Sequence, residues 1–284
     1  MIFAKKGLSR SRAGDIFILL FLLFAAAFMV VPLIFVIGNA FKPLDEIFVF
    51  PPRMIPRAPT WKNFRDMFML INNSLVPFSR YIMNTVIITA AGTFGNLACV
   101  IMCAYSLAKR DLLIGKVFFR IIVLALMFSA AVTTIPNYLI LSRLGWIDTP
   151  FSVIIPAFAS PLGLYLMKQF MDQIPDALLE SAKIDGAGDP SILWHIVVPA
   201  VKPAWLTLII FSVQGLWNLD TSMFIYSEEQ KSLSYALGQI TTSGIARAGV
   251  GGAITLFMLI VPITIFMITQ KSILETMTTS GMKD

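Results

Sequence analysis

Few residues in this chain have the types and spacing to do chemistry. The only Gly-Lys pair, Gly115-Lys116, is followed by Val117, and Arg110 stands where a phosphate-binding G-x-x-x-x-G-K-[ST] loop needs its first glycine. Hydrolysis of ATP by this polypeptide is therefore not expected. His195, the sole histidine, has no Cys or His at ligand spacing, so a packing or interfacial role outweighs metal binding or proton relay. Cys99 and Cys103 continue a series begun by Ala91 and Gly95. Spacing by four makes a small-residue stripe for close helix contact, whereas a metal or disulfide would need partners at matching spacing. No catalytic, metal or cofactor site is expected.

What remains is an acidic stretch and a set of amides. Residues 174–203 read as two short helices joined by a turn. The first can begin at Pro175 and run through Ala182 to Asp185-Gly186, where glycine supplies a left-handed stop. Asp189 then caps a second helix with Pro190 as its first residue, and Ile192, Leu193, Ile196 and Val197 share one face. The segment around it carries Asp172, Asp176, Glu180, Asp185 and Asp189 against Lys168, Lys183 and Lys202. Acids near helix starts serve as caps; Glu180, mid-helix, is the candidate for a basic groove on a partner. An interfacial amphipathic loop without a partner is the competing reading. The amides are Asn84, Asn96, Asn137, Gln214 and Asn218, with Tyr138 and Trp217 beside two of them, all in apolar surroundings where an amide must find a partner or face a wet cavity. Asn137 follows Pro136, which frees backbone carbonyls and can kink a helix toward a pathway. Ring-and-amide pairs suit sugars, and helix–helix hydrogen bonding is the alternative for each residue.

These residues must be positioned by membrane helices. The chain has 284 residues, 57% hydrophobic and only 13% charged, with net charge +6, and a mean hydropathy of +0.80. That is too little charge to coat a soluble globule of this size. Six stretches lack Asp, Glu, Lys and Arg: 16–41, 81–108, 121–142, 149–167, 203–219 and 248–270. Each is near the roughly 20 residues that cross a bilayer as helix. The shortest, 203–219, is expected to recruit Pro199 and Val201. Barrel strands would alternate polar residues, and these runs do not. The expected fold is all-α and polytopic, with six transmembrane helices. The positive charge follows topology, without the compact basic run that would suggest nucleic acid. With the N-terminus inside, 13 of the 22 Lys and Arg fall on the cytoplasmic side, and six of the other nine lie in the long loop 42–80. This orientation makes 168–202 cytoplasmic. The apolar run after Lys5, Lys6, Arg10 and Arg12 continues to Phe41, longer than a signal peptide's core of about 7–15 residues, so an uncleaved first helix is expected. The expected organisation is a cytoplasmic segment 1–14, a first helix 15–41, an extracytoplasmic loop 42–80, a core 81–271 and a cytoplasmic tail 272–284.

Glu180-Ser181-Ala182, Asp185-Gly186-Ala187 and Pro199, thirteen residues after Gly186, resemble the "EAA" loop of permease subunits in binding-protein-dependent ABC importers. Ser181 departs from the usual alanine and Leu193 from the usual phenylalanine. The resemblance implies that 172–199 forms a coupling helix seated in a separate ATP-hydrolysing subunit. In the loop, Phe41-Lys42, Glu46, Pro51-Pro52, Pro56 and Asn63-Phe64 are similar to carbohydrate-uptake permeases of the maltose type, whose outer loops face a binding protein. Asn84, Ala104-Tyr105, Lys109-Arg110, Gly115, Pro136, Gly145, Thr149 and Pro156 continue the likeness. Trp217-Asn218 matches a pair near the end of the fifth helix, though Leu219 separates it from Asp220. The polar tail resembles the family's ATPase-reaching terminus. The resemblance implies a second, different permease subunit, two ATPase subunits holding ATP and Mg, a substrate-binding protein outside and an oligosaccharide substrate. A glycerol phosphate permease of the same family, or a secondary transporter or channel, is the alternative. Acids within spans would mark the last, but Asp15, Asp148 and Asp220 all flank span ends.

Overall fold

The computed structural model describes residues 12–72, 76–242 and 244–280; Lys5, Lys6 and Arg10, and the last four residues of the tail, lie outside them. Among the described residues every regular element is helical. Four stretches are long and apolar enough to cross a bilayer: Gly14–Phe41, Phe78–Lys109, Phe151–Asp172 and Ala248–Lys271. Asp189–Ala200 and Lys202–Trp217, bent by 80° at their junction, count as a fifth if taken together. The expected sixth, 121–142, is not one helix. It is divided between Gly115–Ala125 and Ala130–Arg143. The first closes through shortened bonds from Met127 N–H to Leu124 C=O and Phe128 N–H to Ala125 C=O, and Ser129 then caps the second by accepting from Ala131 N–H. A serine in an apolar run reads as tolerated, but its capping geometry starts a new helix.

The described residues divide into two units, those within 1–70 and 240–257, and those within 71–239 and 258–284. In the first, α1 (Arg12–Phe41) leads into the proline-rich loop and α2 (Lys62–Asn72). Here the polar residues of the loop turn inward. Lys42, buried, donates to Asn39 Oδ1 at 2.7 Å and to the Arg53 carbonyl. Glu46 accepts from Arg57 N–H at 2.8 Å, and Asn63 donates to the Ala40 and Lys42 carbonyls at 3.0 and 2.7 Å. Phe41, Trp61 and Phe64 pack edge-on or tilted around this knot with ring centroids 5.0 to 5.4 Å apart. These bonds satisfy backbone groups that a proline-rich loop leaves unpaired.

The second unit is built on α3 (Phe78–Lys109). The helices that follow are α4 (Gly115–Ala125), α5 (Ala130–Arg143), α6 (Phe151–Ala157), α7 (Pro161–Asp172), α8 (Asp176–Ile184), α9 (Asp189–Ala200), α10 (Lys202–Trp217), α11 (Leu233–Thr241) and α12 (Ala248–Ser280), of which α4, α6, α7 and α10 pack on α3. Small residues set the closest contacts. A Cβ on Gly95 would lie 2.0 Å from the Phe158 ring, and one on Gly92 would lie 2.6 Å from Leu216. The stripe read from Ala91 and Gly95 is thus a seat for the segment joining α6 to α7.

The expected fourth span is interrupted there. Asn96, buried, closes the gap by donating to the Ala157 and Phe158 carbonyls at 2.8 and 3.3 Å, and it accepts from Ser212 at 3.1 Å. An amide inside α3 therefore replaces the helical donors missing at the break. At the α9–α10 junction, Trp205 Nε1 donates to the Val198 carbonyl at 3.1 Å. Pro199 and Val201 consequently belong to the bend and do not lengthen the α10 span.

Candidate functional site

Two features stand out in the second unit: the acidic helix pair, and a cavity beside α3. The helix pair rests on a core of Ile101, Ala104, Met171, Leu179, Ile192 and Val197. Helix α8 buries Leu179 in that core while Glu180 and Ser181 face outward. Two apolar side chains of α8 are also exposed, Ile184 at 86% one turn from the acid on its face and Leu178 at 49% elsewhere on the helix. Gly186 takes φ +86°, Gly186 N–H bonds to Lys183 C=O at 3.0 Å, and Ala187 N–H reaches back to Ala182 C=O at 2.9 Å. This is a Schellman stop. Ala182 and Ala187, the two alanines of the motif, are its 6→1 pair and pack together on the core.

Two details differ from expectation. Pro175 is the extended residue before α8, which begins at Asp176. Asp189 is not the cap of α9: Gly188 occupies that position, and the Asp189 carboxylate accepts from Arg110 Nη2 at 2.7 Å. A carboxylate committed to an ion pair is not available to the helix's own N–H groups. Before Pro199 the chain widens to a π-turn over Leu193–Val197, with Val198 N–H bonded to Leu193 C=O. Proline lacks the donor that a regular turn would use. His195 Nδ1 lies 3.0 Å from Ser191 C=O within this turn.

The cavity has a volume of about 410 Å³ and is lined by Asn96, Thr133, Thr134, Asn137, Ser152, Ser212 and apolar neighbours, with no charged side chain. Of the amides and rings singled out in the sequence, Asn96 and Asn137 line it. The others have different surroundings. Asn84 donates to the Glu229 and Lys231 carbonyls at 2.8 and 3.1 Å. Tyr138 meets the Tyr226 hydroxyl at 2.8 Å. Trp217 is buried and donates to Met258 C=O at 3.1 Å, Asn218 turns back to Gln214 C=O at 2.9 Å, and Gln214 is exposed on α10.

A second polar cluster, at the N-terminal end of α3, is not apparent from the sequence. Asp148 has φ +63°; it accepts from Tyr226 N–H at 2.8 Å, Ser227 N–H at 2.7 Å and the Ser227 hydroxyl at 2.5 Å. The hydroxyl bond, then the backbone ones, hold its carboxyl below the ordinary aspartate range. Glu228 accepts from Tyr81 at 2.7 Å and pairs with Lys231 at 2.9 Å. Burial pushes Glu228 up, but the bonds from Lys231 and Tyr81 outweigh it and leave the carboxyl low. The one local signal is Gly145 through Pro150, a run of turn residues in which Asp tolerates left-handed backbone.

Long apolar helices around an uncharged, hydroxyl- and amide-lined cavity make a multi-pass, all-α membrane protein of the transporting kind. Residues 100–278 match the binding-protein-dependent transport system inner membrane components, and the chain belongs to that family. It is 29% identical to protein LplC of Bacillus subtilis (strain 168) across 81% of this chain and 76% of that one. It is 31% identical to the polygalacturonan/rhamnogalacturonan transport system permease protein YtcP of the same strain, over 76% and 73%. With the sn-glycerol-3-phosphate transport system permease protein UgpE of Yersinia pestis the identity is 28% over 73% and 74%. A crystal structure of a bacterial ABC transporter involved in the import of the acidic polysaccharide alginate contains a chain of the same fold, with TM-score 0.73 and 23% identity over 93% of this chain and 99% of that one.

Proposed function

We propose that this chain is one of two different permease subunits of an ABC importer, forming half of a pathway for a sugar or oligosaccharide delivered by an extracytoplasmic binding protein. ATP and Mg would sit on two separate ATPase subunits. Both termini and the loop 172–199 would be cytoplasmic, with 42–80 outside. The observation that carries the coupling role is α8 itself. A short helix stopped by Gly186 and seated through Leu179 presents Glu180 with the exposed Ile184 one turn further along the same face, a surface suited to a groove with an apolar wall and a basic group. Glu180, Ser181, Ala182, Asp185, Gly186, Ala187 and Pro199 would make this coupling unit. Loaded binding protein and ATP would each favour closed ATPases, whose approach moves α8 and opens the cavity outward.

A sugar substrate is supported by the uncharged hydroxyls and amides around the cavity. A glycerol phosphate, carried by a relative in its name, would be served better by a Lys or Arg there. Asn84, Asn137, Tyr138, Gln214, Trp217 and Asn218 remain proposed for the pathway, Asn137 with the most direct support. Assay of ATP hydrolysis by the purified chain, alone and assembled, tests the division of labour. Hydrolysis should need the partner chains, and robust activity from the lone polypeptide refutes the assignment.

A further inference from the structure

Two adjacent basic residues tie the end of α3 to the starts of both coupling-loop helices. Lys109 is the last residue of α3 and Arg110, in extended conformation, follows it. Lys109 Nζ donates to Ile174 C=O at 2.6 Å and to Asp176 Oδ1 at 2.8 Å; its side chain is 4% exposed, that of Asp176 76%. Arg110 Nη2 meets Asp189 Oδ2 at 2.7 Å, with exposures of 51% and 44%. Asp176 opens α8 and Asp189 opens α9. The acids therefore sit at helix starts and the bases at a helix end, the placement each helix dipole favours. A groove of about 360 Å³, lined by Asp111, Lys116, Glu180 and Lys183 among others, runs beside α8.

Leu179, Ile192 and Val197 already hold the two helices on the core. Apolar contact is non-directional and survives a small slide, whereas charged hydrogen bonds fix distance and angle. We infer that Lys109 and Arg110 are positioning residues that clamp α8 and α9 to α3, so that displacement of the coupling loop pulls directly on that helix. The inference rests on the coupling role proposed for α8. Helix α3 can carry such a pull, because its 32 residues make a rod about 48 Å long. Its middle carries Asn96 at the cavity, and its far end carries Asn84, bonded to the 229–231 backbone, and Thr85, which accepts from Leu233 N–H at 2.8 Å. One rod thus joins the coupling loop, the cavity and the cluster at the opposite end. The direct path skips the two interrupted segments between 115 and 172, whose breaks would absorb motion.

The test uses the assembled transporter in lipid vesicles with its binding protein. Arg110→Glu is preferred because its pair is half exposed and folding does not depend on burying it. In a separate preparation, a Ser181→Cys substitution with Cys99→Ala and Cys103→Ala reports contact between α8 and the ATPase by cross-linking, while stimulation is measured in chains that keep Ser181. Expected for Arg110→Glu are an undiminished cross-link and stimulation of hydrolysis by loaded binding protein reduced about fivefold or more; the swap Arg110→Glu with Asp189→Arg should restore it. Parental stimulation in Arg110→Glu overturns the clamp, as does a loss that the swap leaves unrepaired. Absence of the Ser181→Cys cross-link in the otherwise parental chain overturns the coupling role of α8 instead, so the two failures are distinguishable.

Discussion

Valine at Gly186 isolates the backbone contribution to coupling. Gly186 has φ +86°, and a Cβ built there meets no atom of the chain within 4 Å. Crowding within the subunit is therefore absent, and the cost is that of left-handed backbone for an L-residue, about 1–2 kcal/mol. For a β-branched side chain it lies at the upper end. A penalty of that size lowers the population of the stopped helix relative to its alternatives by a factor of about 5–30. The two bonds at risk are Gly186 N–H to Lys183 C=O and Ala187 N–H to Ala182 C=O. Losing them would unseat Ala187 and let α8 fray or extend toward Asp189. Membrane insertion should be unaffected, since the apolar spans are unchanged. Hydrolysis stimulated by loaded binding protein, measured in vesicles, should fall about fivefold or more. Asparagine tolerates this conformation, so Gly186→Asn should retain most of the stimulation. A Gly186→Val variant that inserts, binds its ATPase and transports at the parental rate would refute both the strain argument and the coupling reading of the turn.

Asn137→Ala should reduce transport while assembly and basal hydrolysis stay near parental; normal transport would return Asn137 to a structural role. Asn96→Leu removes the donor to the Ala157 and Phe158 carbonyls and should destabilise the subunit by about 1–3 kcal/mol, seen as a lower Tm in detergent; an unchanged Tm would mean that those carbonyls find other donors. Asp148 has a depressed pKa in the folded chain, so its contribution to stability is fully present above the ordinary aspartate value of about 3.9 and is lost as pH falls through the lower folded value. Asp148→Asn should therefore flatten the acid limb of a Tm-against-pH curve, and an unaltered limb would assign acid sensitivity to other groups.

What could be read from the sequence depended on how local each feature's cause is. Gly186 was legible because a left-handed stop is decided by the residue itself and its immediate neighbours, and the apolar runs because bilayer length is a property of consecutive residues. The break at 126–129 was not, since a capping serine in an apolar run differs little from one that rides along a helix. Asp189 was misplaced for a related reason: its capping pattern is local, but Arg110, 79 positions away, claims the carboxylate. The amides show this most clearly. Sequence says that an asparagine among apolar neighbours needs a partner, and in that respect Asn84, Asn96 and Asn137 are alike. Asn96 finds carbonyls 61 and 62 positions on, at a helix break, and Asn84 finds them 145 and 147 positions on, in a loop. In both, part of that demand is met by the chain itself. Asn137, on α5 beside Thr133 and Thr134, borders the cavity that Asn96 also lines, but among the described residues makes no bond to a helix break. An amide so placed has its hydrogen-bonding groups available to water or a solute hydroxyl, and substituting it tests transport with the least disturbance to the fold.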